Sequence, residues 1–339
     1  MIKKYLLSTA CFYFMILCGL YSQTNKTIGF LIDDFNSTRW VKDTFYFVKH
    51  AEKKGYKTIV KHCDSDTAMQ FNQAKQLISQ GVKVLVIVAA DANAAKSIVD
   101  YAHKKHVSVV AYDRLIPHPD LDYYLSFDAI KVGELQALHV LKKINYQGNI
   151  VILNGPKNDI NSLLFAQGHM NILKPYIDKG QIKVVYNHHL SEWTSLEASM
   201  RMMDFLGTYK DEIHAAIAAN DELASGFIDA WKIFHESKRI PVTGQDAMPI
   251  ACTNILSGEQ TMTVFKPLNE LAMEAVKVAI NILERKNVSL PDYSLVEGNR
   301  IPTLKIAPIA VDKDNLYHTL ITSGYYGKDE IIFTEKNKH

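Results

Sequence analysis

Carboxylate, amide and cationic side chains recur directly after short apolar runs in this chain: Asp33 and Asp34 with Arg39 and Trp40 beyond, Asp113 and Arg114, residues 154–161, Asn220 and Asp221, Asp246, and Lys266. Carboxylates accept hydroxyl protons, whereas Asn, Arg and Lys supply donors. That mixture suits a neutral polyhydroxylated ligand, because each hydroxyl both donates and accepts and every desolvated polar atom needs a partner. Trp40 and Trp193 could cover the C–H faces of a sugar ring, burying apolar area without demanding hydrogen bonds. Taken singly, each residue has a plainer reading. Asp33, Asp34 and Asp221 read as helix caps or turn residues, Asp113 with Arg114 as a local ion pair, Trp193 as core, and Lys266 as a solvated cation. Recurrence decides the matter, because an Asp-Arg pair and a lysine at corresponding strand ends are not capping chemistry.

The elements that must position these groups alternate along the chain. Residues 28–32, 58–60, 82–88 and 107–112 read as strands, and apolar residues at helical spacing fill the intervals; Val41, Phe45, Val48 and Ala51 are the first such set. The pattern restarts after Phe127, with strands expected at 149–153, 182–186, 214–219 and 241–244. Strands apolar on both faces imply parallel sheets covered by helices on each side, so the expected fold is α/β, two doubly wound parallel-sheet lobes. Gly55, Gly81, Gly148 and Gly180 each stand where a helix should stop before a strand. In open parallel sheets ligands bind beyond the carboxyl ends of the strands, which is where the polar clusters fall.

Composition narrows the function classes. Lys3 and Lys4 precede an apolar stretch ending near Tyr21, followed by Ser22, Gln23 and Thr24, the order of a secretory signal peptide over residues 1–22. Cleavage near Ser22, lipidation of Cys18 and an uncleaved N-terminal anchor are the three fates left open. The formal net charge is +2, and residues 1–22 hold two lysines and no acid, so the exported chain is neutral and offers no nucleic-acid footprint. Cys63 and Cys252 then remain, far apart, and are read as unpaired thiols. The 13 histidines form no metal-type cluster apart from His188-His189, whose side chains point to opposite faces of an extended strand. No cofactor, metal or catalytic residue is expected; Asp113, Asp159 and Asp246 as a glycosidase pair rest on residue type alone.

The segments Ile32-Asp33-Asp34, Thr38-Arg39-Trp40, 84–87, 111–114, 126–128, 131–137, Ala219-Asn220-Asp221, 244–247 and 260–267 carry a resemblance. From about residue 26 to about 320 the chain resembles the type I periplasmic sugar-binding proteins, and looks more like their xylose receptors than their ribose or galactose receptors. The resemblance implies that Arg39, Asp113, Arg114, Trp193, Asn220, Asp246 and Lys266 contact the ligand, with Trp193 stacking on it. Trp40 joins them through the Arg-Trp pair. Residues 154–161 depart from the family's Gly-Gly-Ser-Pro loop, and Asp159 and Asn161 are the placements made there.

A topology follows from the same resemblance: a three-strand hinge crossed near Asp128, Phe265 and Gly298. One lobe then holds residues 26–128 and 266–297, the other 129–265 and 298–335. The implied activity is capture of a monosaccharide, D-xylose first, by a protein that is monomeric when free and presents the sugar to an ABC permease. A receptor reporting occupancy to a membrane histidine kinase needs the same cleft and stays open, with the basic tail (Lys328, Lys336, Lys338) unmatched. The repressors that share this fold carry a DNA-reading headpiece of some sixty residues, for which about 26 export-type residues leave no counterpart here.

Overall fold

The computed structural model describes residues 26–35, 38–236 and 238–331. The export signal over residues 1–22, with Cys18, and Lys336 and Lys338 of the tail lie outside the described residues. The first half runs β1 (Thr27–Ile32), α1 (Thr38–Lys53), β2 (Lys57–His62), α2 (Thr67–Ser79), β3 (Val84–Ile87), α3 (Lys96–His103), β4 (Ser108–Tyr112) and β5 (Tyr123–Phe127). There follow α4 (Ala129–Lys143), β6 (Gly148–Asn154), α5 (Ile160–Asp178), β7 (Ile182–His189), α6 (Ser195–Thr208), β8 (Ala215–Ala218), α7 (Asp221–His235), β9 (Val242–Thr243), α8 (Pro249–Ser257) and β10 (Met262–Phe265). The last part holds α9 (Leu268–Leu283), β11 (Asp292–Val296), β12 (Asn299–Ile306) and β13 (Ile309–Asp312).

Two sheets result, in the orders β11-β12-β5-β4-β3-β1-β2 and β13-β10-β9-β8-β6-β7. All pairings inside them are parallel except at one edge of each, where β11 and β13 run antiparallel. The α/β fold of two doubly wound lobes read from the sequence is the fold observed. Alternate residues of the first sheet face opposite helix layers. Phe30, Val84, Val86 and Tyr112 pack with Phe47 of α1 and Leu271 of α9, while Leu31, Leu85, Ile87 and Val109 pack with Leu77 of α2 and Ile98 of α3. Strands buried on both faces are what made them read as continuous apolar runs. Asp66, Asp128, Asp159, Thr194 and Asn220 cap helices by accepting a backbone N–H from the first turn.

The chain leaves the first sheet after β5, returns to it after β10, and leaves again between β12 and β13. The third crossing therefore lies between Ile306 and Ile309, not near Gly298, and residues 299–306 belong to the first lobe. The reason is a hairpin: Glu297 and Gly298, at φ +50° and +85°, form the two-residue turn joining β11 to β12. Two consecutive left-handed residues match the twist of the flanking strands. The turn sends the chain back to pair β12 with β5, which would otherwise end the sheet as an open edge.

Candidate ligand-binding site between the lobes

All ten residues singled out from the sequence (Arg39, Trp40, Asp113, Arg114, Asp159, Asn161, Trp193, Asn220, Asp246 and Lys266) line one cleft of about 990 Å³. Those from the first sheet follow β1 and β4, and those from the second follow β6, β7, β8, β9 and β10, so the carboxyl ends of both sheets face a shared gap.

On the first lobe, Arg39 in the opening turn of α1 donates from Nη2 to Asp113 Oδ1, while its Nε lies 3.4 Å from Asp43 Oδ2. Tyr112 OH donates to the other oxygen of Asp43. Burial pushes the Asp43 carboxyl up to about 6 against the pull of Arg39. Burial also opposes the Arg39 charge, but Asp113, Asp43 and Asp246 together hold its pKa above the ordinary value. For Asp113 burial favours the proton, yet Arg39, Lys266 and Arg114 hold its pKa below the usual carboxylate range. Asp113 sits at φ +64°, and its carbonyl accepts from Ser126 Oγ at 2.7 Å and Tyr124 OH at 3.1 Å, which secures that uncommon backbone.

Arg114 bridges the lobes. Its Nη1 donates to Asp33 Oδ2 at 2.6 Å and to the Ala89 carbonyl at 2.9 Å, and its Nε is 3.1 Å from Asp159 Oδ2 on the second lobe. Asn161 crosses the same gap, donating from Nδ2 to Asp113 Oδ2 at 3.0 Å. Trp40 is only 4% exposed, and the guanidiniums of Arg39 and Arg114 lie 4.3 and 5.4 Å from its ring centroid. The ring is thus a platform for two cations before it is a surface for any ligand.

The second lobe supplies the other aromatic. The indole of Trp193 rests on Gly155, where a Cβ would fall 2.1 Å from its ring, and its edge meets Phe165. Nε1 of Trp193 donates to Asp159 Oδ2 at 3.3 Å. Asn220 commits its side-chain oxygen to the N–H of Leu223 at 2.9 Å, leaving its amide hydrogens as the donors it can offer. Asp246, at φ +95°, points Oδ1 at Lys266 Nζ 2.6 Å away, and that lysine is 3% exposed.

Several cleft residues were not singled out as site residues. Gln245 is buried with Oε1 unpartnered, and its place beside Asp246 was the available signal. Lys42 lies one helical turn beyond Arg39, so helical spacing would have found it. Tyr325 and Tyr326 reach the cleft from the far end of the chain, and no local pattern marks them. Asp33 stood among the strand-end residues, and its contact with Arg114 is the new fact. Among the described residues no group of three or more His, Cys, Asp or Glu could hold a metal, and no helix is long and apolar enough to cross a membrane. Cys63 and Cys252 are buried and unpaired, and burial pushes each thiol up to about 12.

Residues 28–287 match the periplasmic binding protein domain family. The D-xylose-binding periplasmic proteins of Escherichia coli and Haemophilus influenzae are each 36% identical, over 97% and 90% of this chain and 99% and 91% of theirs. An ABC transporter solute-binding protein from Clostridium phytofermentans, solved with bound β-D-glucose, superposes with a TM-score of 0.86 at 29% identity, covering 90% of this chain and 100% of its own. The chain belongs to the periplasmic binding protein domain family and has its two-lobe sugar-receptor fold.

Proposed function

We propose that this protein is an exported receptor that captures a neutral monosaccharide, D-xylose first, between its lobes and presents it to an ABC importer. The observation that carries the reading is the interlobe cleft itself: paired charges whose remaining lone pairs and N–H groups face one gap, with an indole on one wall. Asn161 Oδ1 and Gln245 Oε1 are buried without partners, and ligand hydroxyls would satisfy both. Four cations (Arg39, Lys42, Arg114, Lys266) line the cleft with a larger number of carboxylates, among them Asp33, Asp113, Asp159, Glu222 and Asp246, an excess of acceptors that favours hydroxyls and repels anionic sugars. Xylose leads because the two relatives that are 36% identical are D-xylose-binding proteins, while relatives at 31% and 32% bind multiple sugars and a structural neighbour holds glucose. Closure follows from binding, since a ligand touching both lobes favours the shut state by no more than its differential affinity.

A thermal-shift screen of pentoses and hexoses identifies the sugar, because a ligand of the native state alone raises the melting temperature. Calorimetry should then give micromolar or tighter binding, on the order of −8 kcal/mol. Asp246→Ala and Arg114→Ala should each cost several kcal/mol, because buried hydroxyls lose charge-assisted partners. Unchanged affinity in both variants would refute the site. Delivery to an importer is read separately, from sugar-dependent stimulation of the transporter's ATPase by the loaded receptor.

A further inference from the structure

The turn that aims Asp246 into the cleft is strained. Asp246 and Ala247 take φ of +95° and +51°, and neither is glycine. Such residues cost on the order of 1–3 kcal/mol each and persist only where their surroundings over-determine them. Here the Asp246 N–H donates to the Val264 carbonyl and Tyr326 OH to the Ala247 carbonyl, and the buried side chain of Asp221 supplies further ties. Asp221 has no exposed surface and does not line the cleft. Its Oδ2 accepts from the Met248 N–H and from Thr263 Oγ1, each at 2.9 Å, and its Oδ1 accepts from Gln260 Nε2 at 2.9 Å. Its own N–H donates to the Gln245 carbonyl at 3.0 Å.

Thr263, fixed by Asp221, accepts the Ala247 N–H at 3.1 Å. The backbone on both sides of Asp246 is therefore tied to Asp221, directly at Gln245 and Met248 and through Thr263 at Ala247. Contact is so close that a Cβ on Gly244 would fall 2.1 Å from Asp221 Oδ1, so glycine is required there for space. Three segments remote in sequence, at residues 219–221, 244–248 and 260–263, thus meet in one hydrogen-bonded knot behind the cleft wall.

We propose that Asp221 is a positioning residue for ligand binding: it touches no ligand, and it holds the strained turn that presents the Asp246 carboxylate, and through it Lys266, to the sugar. The proposal rests on the reading that Asp246 contacts the ligand, and its test separates the two.

The experiment is a double-mutant cycle by calorimetry on the exported chain, with D-xylose and D-glucose as probes, using Asp221→Ala, Asp246→Asn and the double variant. Asp221→Ala should weaken binding at least tenfold while circular dichroism stays native. In the Asp246→Asn background the same change should cost less than about twofold, because the group it positions is already altered. Additive losses overturn the proposal, since a general loosening of the lobe would act whatever stands at position 246. Wild-type affinity in Asp221→Ala with a loss in Asp246→Asn overturns the positioning role and leaves the site standing. Wild-type affinity in Asp246→Asn removes both. Where Asp221→Ala does not fold, Thr263→Val and Thr263→Ser take its place: the valine should lose affinity and the serine, which keeps the hydroxyl bridge, should retain it. Equal affinities in that pair overturn the proposal.

Discussion

Asp43 lies beneath the cleft floor with no exposed surface, facing Arg39 of its own helix, Tyr112 of β4, and at longer range Asp113 and Lys266. Its carboxyl is pushed up to about 6 by burial, above the unfolded value of 3.8. The folded state therefore holds a proton that the unfolded chain has released between about pH 4 and 6. The stability this group contributes is complete below the unfolded pKa and is lost as pH rises through the folded one. Asp113 works in the opposite sense: its lowered pKa contributes stability above the usual carboxylate range, lost as pH falls. Asn at position 43 cannot titrate, so the stability gap between wild type and Asp43→Asn should be widest near pH 4. It should narrow by about 3 kcal/mol toward pH 7. Urea unfolding at the two pH values measures it, and a gap that is constant or widens with pH contradicts the assignment.

At the scale of elements, the crossing of α4 and α5 sets where the second lobe's strand ends lie. Gly133 and Gly168 face each other's helices so closely that a Cβ would fall 2.1 Å from the carbonyl oxygens of Phe165 and Ile130 respectively. That approach lets His169 Nε2 reach Gln136 Oε1 at 2.8 Å, and burial pushes the His169 pKa down to about 3, so the ring stays neutral. Gln136 then donates from Nε2 to the carbonyls of Ala218 and Gly244, at 2.9 and 3.0 Å, tying α4 to the segments that lead into Asn220 and Asp246. Gly168→Ala must push the helices apart, and overpacking against backbone should destabilise by about 2–3 kcal/mol. Guanidinium unfolding checks this, and an unchanged midpoint would show that the helices shift freely. Gln136 belongs to a segment noted in the sequence for its family resemblance, yet its role was not legible there, because a glutamine on a helix carries no mark of the two carbonyls it will meet.

For the whole molecule, the lobes touch directly through Arg114–Asp159 and Asn161–Asp113, and again through Lys42. The Lys42 ammonium of α1 sits 3.7 and 4.3 Å from the ring centroids of Tyr326 and Tyr325, on a C-terminal segment whose Tyr326 packs with Cys252 and Leu316 in the second lobe. Burial lowers the Lys42 pKa from its ordinary value, against the opposing pull of Glu330. Lys42→Met should lose about 1 kcal/mol of closed-state contact, weakening sugar binding several-fold. Small-angle scattering of the unliganded variant should show a larger radius of gyration, and an unchanged profile and affinity would remove Lys42 from the closure. The sequence by itself determined the alternation of strands and helices and the polar residues at strand ends, because side-chain periodicity and the strand-to-helix transition are local properties of the chain. Tertiary structure alone decided that β12 stays with the first sheet, that Trp40 backs two arginines, that Tyr325 and Tyr326 line the cleft, and that Asp221 is buried against the turn at Asp246. Each of those depends on which distant segments meet, and pairing between segments far apart in the chain leaves no periodic trace in the segments themselves.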